Sequence, residues 1–188
     1  LKKYLKNWIM INFINFITTV RILLAPIIFL LLIFGNYLVC IILFFLAGLT
    51  DYFDGYLARK YNAESQIGEI LDPIADKILI VFLLIGLSVE LDSFLIAFLS
   101  SLIIAREIGI AALRDYSSKK NISDRTKVTY LAKIKTSLQL FSIGSYLFAL
   151  TISLNLLILI SDIFLIMATL ITIYTGYEYT QNVFKKWK

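Results

Sequence analysis

Histidine is missing from this 188-residue chain, and cysteine occurs once, at Cys40. The first absence removes imidazole acid–base chemistry; together they remove zinc centres of the His/Cys type, and a lone cysteine removes an internal disulfide. Charge is scarce as well. Charged residues make up 16% of the chain and hydrophobic residues 60%, against roughly 25% and 45–50% in ordinary soluble domains. A soluble fold of this length has too little interior to hide that much apolar surface, so lipid must solvate it. Carboxylates, lysine and arginine are the reactive chemistry that remains. No internal repeat, low-complexity tract or linker breaks the chain, which reads as one membrane domain over 1–188.

What is present is a series of long apolar runs. A hydrocarbon core of roughly 30 Å needs about 20 apolar residues per helix. Six runs approach that length, at about 16–34, 37–58, 69–89, 93–113, 130–153 and 155–176. The expected fold is therefore all-α, a polytopic membrane protein of six transmembrane helices. The opening Leu1-Lys2-Lys3 leads into an apolar stretch with no small-residue cleavage site after it, so it reads as a retained first span.

The net charge of +5 is informative through its placement. Lysine and arginine gather in the segments 60–66 and 114–127, in the two tails and towards the adjoining helix ends, and the opposite loops contain none. The positive-inside rule places both termini and those loops in the cytoplasm. The excess of base thus follows the membrane side, and nucleic acid is not an expected partner. The run Lys119–Lys127 reads as a headgroup-contacting loop, and Trp8, Tyr177, Tyr179 and Trp187 read as interface anchors.

Charges inside apolar helices are costly and mark polar cavities. The densest group is Asp51, Asp54, Asp72 and Asp76. On a helix, spacings of three and four put each pair on one face, and two helices joined by a short loop run antiparallel. Four carboxylates then converge at the cytoplasmic end of the pair. Such a concentration calls for cations; hard oxygen ligands suit Mg²⁺ or Mn²⁺, and two such ions can clamp a diphosphate. Gly55, Ala58 and Gly68 lie beside these acids, where small residues admit a ligand to the backbone or serve helix packing. Arg59 can reach a phosphate or follow the positive-inside rule.

The order Asp51, Asp54, Gly55, Ala58, Arg59, then eight residues, then Gly68, Asp72, Asp76 resembles the signature of the CDP-alcohol phosphotransferases at every specified position. Asn12 to Arg21 resembles the opening of that family's phosphatidylglycerolphosphate synthase branch, with Ile14 where proline is usual. Ile104–Glu107, Ala112–Arg114 and Lys133–Thr136 resemble the same branch, with Ala132 where glycine is more usual. The resemblance implies a membrane enzyme that transfers a phosphatidyl group from CDP-diacylglycerol to sn-glycerol 3-phosphate with release of CMP. It implies two divalent ions on Asp51, Asp54, Asp72 and Asp76, with Asp76 also the general base. It places Thr18, Asp51, Gly55, Ala58, Arg59, Gly68 and Asp72 around the cytidine donor. For Thr18, a hydroxyl bonded to its own helix is an equal reading. It further implies a homodimer in a bacterial inner membrane, with its site facing the cytoplasm.

A glycerol 3-phosphate acceptor is a dianion and needs a cationic pocket. Arg106 and Arg114, two turns apart and within roughly 80° on a helix, can face one ligand. Lys133 and Lys135 point nearly opposite ways. Lys135 is the favoured pocket residue, with Lys133 available to anionic headgroups, and Glu107 can pair with an arginine. Cardiolipin synthase and inositol or inositol-phosphate transferases share the carboxylates and differ in the acceptor. A cation transporter, the reading from another class, would place its acids near the bilayer midplane rather than beside cytoplasmic loops.

Overall fold

The computed structural model describes residues 2–61, 65–120 and 130–184, and within them all side chains except those of 2–9, 58, 59, 66, 69, 130, 132 and 133. The described residues form six α-helices: α1 Lys2–Ile33, α2 Tyr37–Tyr61, α3 Gln66–Glu90, α4 Phe94–Lys119, α5 Tyr130–Ile152 and α6 Asn155–Phe184. The secondary structure is all-helical, as the apolar runs require.

Helix bounds depart from the apolar runs mainly at α1, which begins at Lys2 instead of near 16. Hydropathy locates the lipid-compatible part of a helix, and nothing in 2–15 breaks the helix that continues beyond it. α4 and α6 likewise run past their apolar stretches, to Lys119 and Phe184. Among the described residues, four helices have segments long and apolar enough to cross a membrane: Met10–Ile33, Tyr37–Leu57, Phe94–Lys119 and Asn155–Phe184. α3 carries Asp72, Asp76 and Lys77 in its first half, and α5 carries Lys135 and Gln139, which lowers their apolar character.

Three turns end their helices in one way. After α1, the Gly35 N–H bonds Leu32 O and the Asn36 N–H bonds Leu31 O, with Gly35 at φ 74°. After α3, Asp92 bonds Val89 O and Ser93 bonds Ser88 O; after α5, Ser153 bonds Leu150 O and Leu154 bonds Ala149 O. These are Schellman closures, whose left-handed residue is ordinarily glycine. Asp92 and Ser153 adopt it with a side chain, at φ 45° and 56°. Ser93 then caps α4 by accepting from the Ile96 N–H at 3.3 Å.

The chain divides into two compact units, 1–86 and 87–188. In the first, α1 packs on α2 around buried Ala25, Ile28, Leu32, Cys40, Phe44 and Ala47. The Cys40 thiol donates to Ile28 O, a packing role. α3 joins through an edge-on contact of Phe82 with Phe29 and through Gly86, where a Cβ would stand 2.8 Å from Leu32 Cδ2. A side chain at 86 would require the tip of Leu32 to shift.

In the second unit α6 packs against both α4 and α5. Polar pairs tie α5 to α6: Gln139 Nε2 donates to Thr172 Oγ1 at 3.3 Å, Ser142 Oγ to Ser161 O at 3.0 Å, and Tyr146 OH to Asp162 Oδ1 at 2.5 Å. Between helices in lipid, where apolar burial gives little driving force, such bonds and close packing supply the association. Outward faces remain apolar, with Leu23, Phe34, Phe45, Phe98, Leu159 and Leu170 among the exposed residues.

Candidate active site

In the first unit, three helices bring their polar residues to one place. α1 contributes Thr18 and Arg21, one turn apart; α2 contributes Asp51 and Asp54, and α3 contributes Asp72 and Asp76. Arg21 is the centre. Its Nη1 donates to Asp51 Oδ1 at 2.5 Å and to Asp76 Oδ1 at 2.9 Å, and its Nη2 donates to Asp54 Oδ2. The Thr18 hydroxyl lies 3.0 Å from Asp72 Oδ1, 3.5 Å from Asp54 Oδ2 and 3.2 Å from Ile14 O. One proton serves one acceptor, and the shortest path goes to Asp72. The side chain touches its own helix and the carboxylate group together.

Four negative charges surround one positive charge, so the cluster stays strongly anionic. Arg21 and Asp54 are buried, whereas the side chains of Asp51 and Asp76 are 47% and 52% exposed. The guanidinium is therefore sealed beneath a layer of accessible carboxylates. Among the described residues no three acidic or cysteine side chains close on one point as a ready metal cage. The point on which they converge is the guanidinium. Pro73 sits between Asp72 and Asp76 inside α3 and cannot donate a backbone hydrogen bond there.

The start of α3 is tied to α1. Ser65 Oγ accepts from the Gly68 N–H at 2.9 Å and donates to Asn15 Oδ1 at 3.0 Å. A Cβ on Gly68 would stand 3.1 Å from Ser65 Oγ and 3.2 Å from Asn15 Oδ1, so these two side chains fill the space beside that glycine. Gly55 is half-buried next to Asp54. The side chains of Ala58 and Arg59 lie outside the described residues.

The second unit holds a cluster of opposite sign. Glu107 Oε1 accepts from Arg106 Nη1 at 3.0 Å and from Lys135 Nζ. Arg106 Nη2 donates to Thr175 Oγ1 at 3.0 Å. Lys135 is buried, while Arg114, two turns further along α4, is exposed. The structure thus brings Arg106 and Lys135 onto one carboxylate and leaves Arg114 at the surface. The Lys133 side chain lies outside the described residues. Among the expected interface anchors, Tyr177 is exposed, but the Tyr179 hydroxyl is buried without a partner among the described residues; Trp8 and Trp187 lie outside those with described side chains.

Sequence reasoning missed Arg21 as a site residue. It had a signal: Arg21 is a charge within an apolar run, one turn after Thr18, and the argument applied to the aspartates applies to it equally. Asn15, Ser65, Thr175 and Gly176 were not singled out at all.

The CDP-alcohol phosphatidyltransferase family model matches residues 11–183. Curated relatives bear the name CDP-diacylglycerol–glycerol-3-phosphate 3-phosphatidyltransferase. The protein of that name from Rickettsia typhi is 38% identical over 172 residues, covering 89% of this chain and 94% of the relative. That of Haemophilus influenzae is 33% identical over 169 residues, covering 88% and 90%. That of Wigglesworthia glossinidia brevipalpis is 43% identical over 106 residues, covering 56% and 58%.

Proposed function

Because the chain belongs to the CDP-alcohol phosphatidyltransferase family, we propose that it transfers the phosphatidyl group of CDP-diacylglycerol to sn-glycerol 3-phosphate, giving phosphatidylglycerolphosphate and CMP. The observation that carries this reading is the convergence of Asp51, Asp54, Asp72 and Asp76 from two helices, with Asp51 and Asp76 accessible. The names of the relatives supply the acceptor, and the Arg106–Lys135 pair supports it, because a phosphate dianion needs cations.

The donor set fits hard divalent ions: it is all oxygen, strongly anionic, and accessible at Asp51 and Asp76, each of which meets Arg21 through one oxygen alone. Asp51, Asp54, Asp72 and Asp76 would hold two Mg²⁺ or Mn²⁺ ions, whose chemistry is to draw negative charge from the diphosphate. The protein's own part is positional and basic. Arg21 and Thr18 hold the carboxylates in register. Asp76 engages Arg21 through Oδ1, which leaves Oδ2 to take the proton of the acceptor hydroxyl. The hydroxyl oxygen forms a bond to the phosphorus carrying diacylglycerol. The bond from that phosphorus to the CMP oxygen breaks, and its electron pair leaves with CMP. Thr18, Gly55, Ala58, Arg59 and Gly68 form the donor surroundings. Arg106, Arg114, Lys133 and Lys135 receive the acceptor phosphate.

In this reading all six helices cross a bacterial cytoplasmic membrane, with both termini and the carboxylate ends of α2 and α3 on the cytoplasmic side, and the protein works as a homodimer. The placement of lysine and arginine supports the orientation. The test is to give purified protein labelled CDP-diacylglycerol, Mg²⁺ or Mn²⁺, and glycerol 3-phosphate, phosphatidylglycerol, inositol and inositol phosphate in parallel. Phosphatidylglycerolphosphate and CMP should form with the first acceptor; cardiolipin or an inositol lipid as the main product overturns the assignment.

A further inference from the structure

Helix α6 contributes none of the residues that the motifs single out, yet Arg106 is seated on it. Thr175 Oγ1 accepts from Arg106 Nη2 at 3.0 Å. The same hydroxyl lies 2.8 Å from Ile171 O and 3.1 Å from Thr172 O, so its proton goes to its own helix and its lone pair is directed to the guanidinium. The next residue supplies the room. A Cβ on Gly176 would stand 3.1 Å from both Arg106 Cγ and Nε, and 3.7 Å from Cδ. The arginine stem therefore lies against α6 beside Gly176, where a Cβ would push it away by a few tenths of an ångström. On its other side Arg106 Nη1 meets Glu107, which also holds Lys135.

We infer that Thr175 and Gly176 are positioning residues for the acceptor phosphate: they fix the guanidinium of Arg106 so that, with Lys135, it offers a preformed cationic fork to a phosphate dianion. This rests on the reading that Arg106 binds that phosphate. The physical basis is preorganisation. An arginine free to choose among rotamers loses that freedom when the ligand binds, whereas one held against α6 by a hydrogen bond and a steric wall has lost it already. Glu107 keeps the two cations together and leaves the trio with a positive excess.

The test uses full-length protein purified in detergent, with glycerol 3-phosphate varied at saturating CDP-diacylglycerol and the converse. Gly176→Ala should raise the acceptor KM roughly tenfold and Thr175→Val about fivefold, with the donor KM within about twofold of the parent. Thr175→Ser, which keeps the lone pair, should restore most of the loss. A residue needed only for helix packing would lower the melting temperature without separating the two KM values. Arg106→Ala distinguishes the two levels of the argument. An unchanged acceptor KM in that variant defeats the phosphate-pocket reading itself. A raised acceptor KM in Arg106→Ala beside parental values in Gly176→Ala and Thr175→Val overturns the positioning role alone. Should Gly176→Ala fail to fold, the Val and Ser variants at 175 decide the matter.

Discussion

In the unit formed by 1–86, one buried arginine is shared by three aspartates, and a fourth is held beside them by Thr18. In the unit formed by 87–188 the signs are reversed: one glutamate is shared by an arginine and a lysine. Among the described residues, each set of contacts centres on one ion of the minority sign, which sits where the majority charges meet. Neither cluster is neutral. Over these contacts, the first carries a negative excess and the second a positive one. The minority ion lowers the cost of assembling like charges. The clusters also differ in access, since Arg21 is sealed while Asp51 and Asp76 above it are half exposed.

The comparison breaks most readily at Arg21. Arg21→Gln leaves buried Asp54 without its counter-ion, and removing one partner of a buried pair costs about 3–5 kcal/mol. Chemical or thermal unfolding in detergent should register that loss. Glu107→Gln, at the corresponding position of the other cluster, should cost less, because Glu107 is only partly buried. Equal losses would mean that the two minority ions do the same work.

The second contrast is kinetic. Asp76→Asn should lower kcat by about 10²–10⁴-fold while cytidine nucleotide binding, measured by calorimetry with Mn²⁺, is largely kept, because the amide preserves shape and removes the proton acceptor. Near-parental turnover would take Asp76 out of the base role. In the cationic cluster the effect should fall on acceptor affinity instead. Arg106→Ala should raise the acceptor KM roughly ten- to a hundredfold, as expected for losing a charge-assisted hydrogen bond. Arg114→Ala should raise it less, since Arg114 is exposed. A larger effect at Arg114 would reverse their assigned ranks.

The smallest expected effect lies in the turns. Asp92→Gly and Ser153→Gly each replace a side chain held at positive φ. Relief of that strain should stabilise the fold by up to about 1 kcal/mol, visible as a small upward shift in melting temperature. Gly35→Ala, the reverse change at the equivalent position of the first unit, should destabilise.

The helices and four carboxylates were legible in the sequence because both depend on local spacing: apolar run length for the first, intervals of three and four for the second. Lys135 was singled out over Lys133, and the structure buries it on Glu107. Arg21 was quoted within the opening stretch but read as part of a pattern, although its burial among three acids is the central contact of the site. Thr175 and Gly176 were beyond reach for another reason. A threonine–glycine pair in an apolar helix is the ordinary means of close packing, and only the approach of Arg106, 69 residues away from Thr175, gives it a second meaning. The early start of α1 was missed because hydropathy is blind to a helix that continues into a polar setting.

The three Schellman turns bear on how such a chain enters a bilayer. At Gly35-Asn36, Asp92-Ser93 and Ser153-Leu154 the carbonyls of Leu31, Leu32, Ser88, Val89, Ala149 and Leu150 are bonded within the turn, and none of these short connections carries a lysine or arginine. Backbone groups left open cost several kcal/mol each in hydrocarbon. A turn that closes its own carbonyls and bears no fixed positive charge can be carried through the membrane by the helices on either side of it. In the proposed orientation, the connections that pass to the far side are the ones cheapest to translocate, and the basic segments 60–66 and 114–127 are the ones that stay behind.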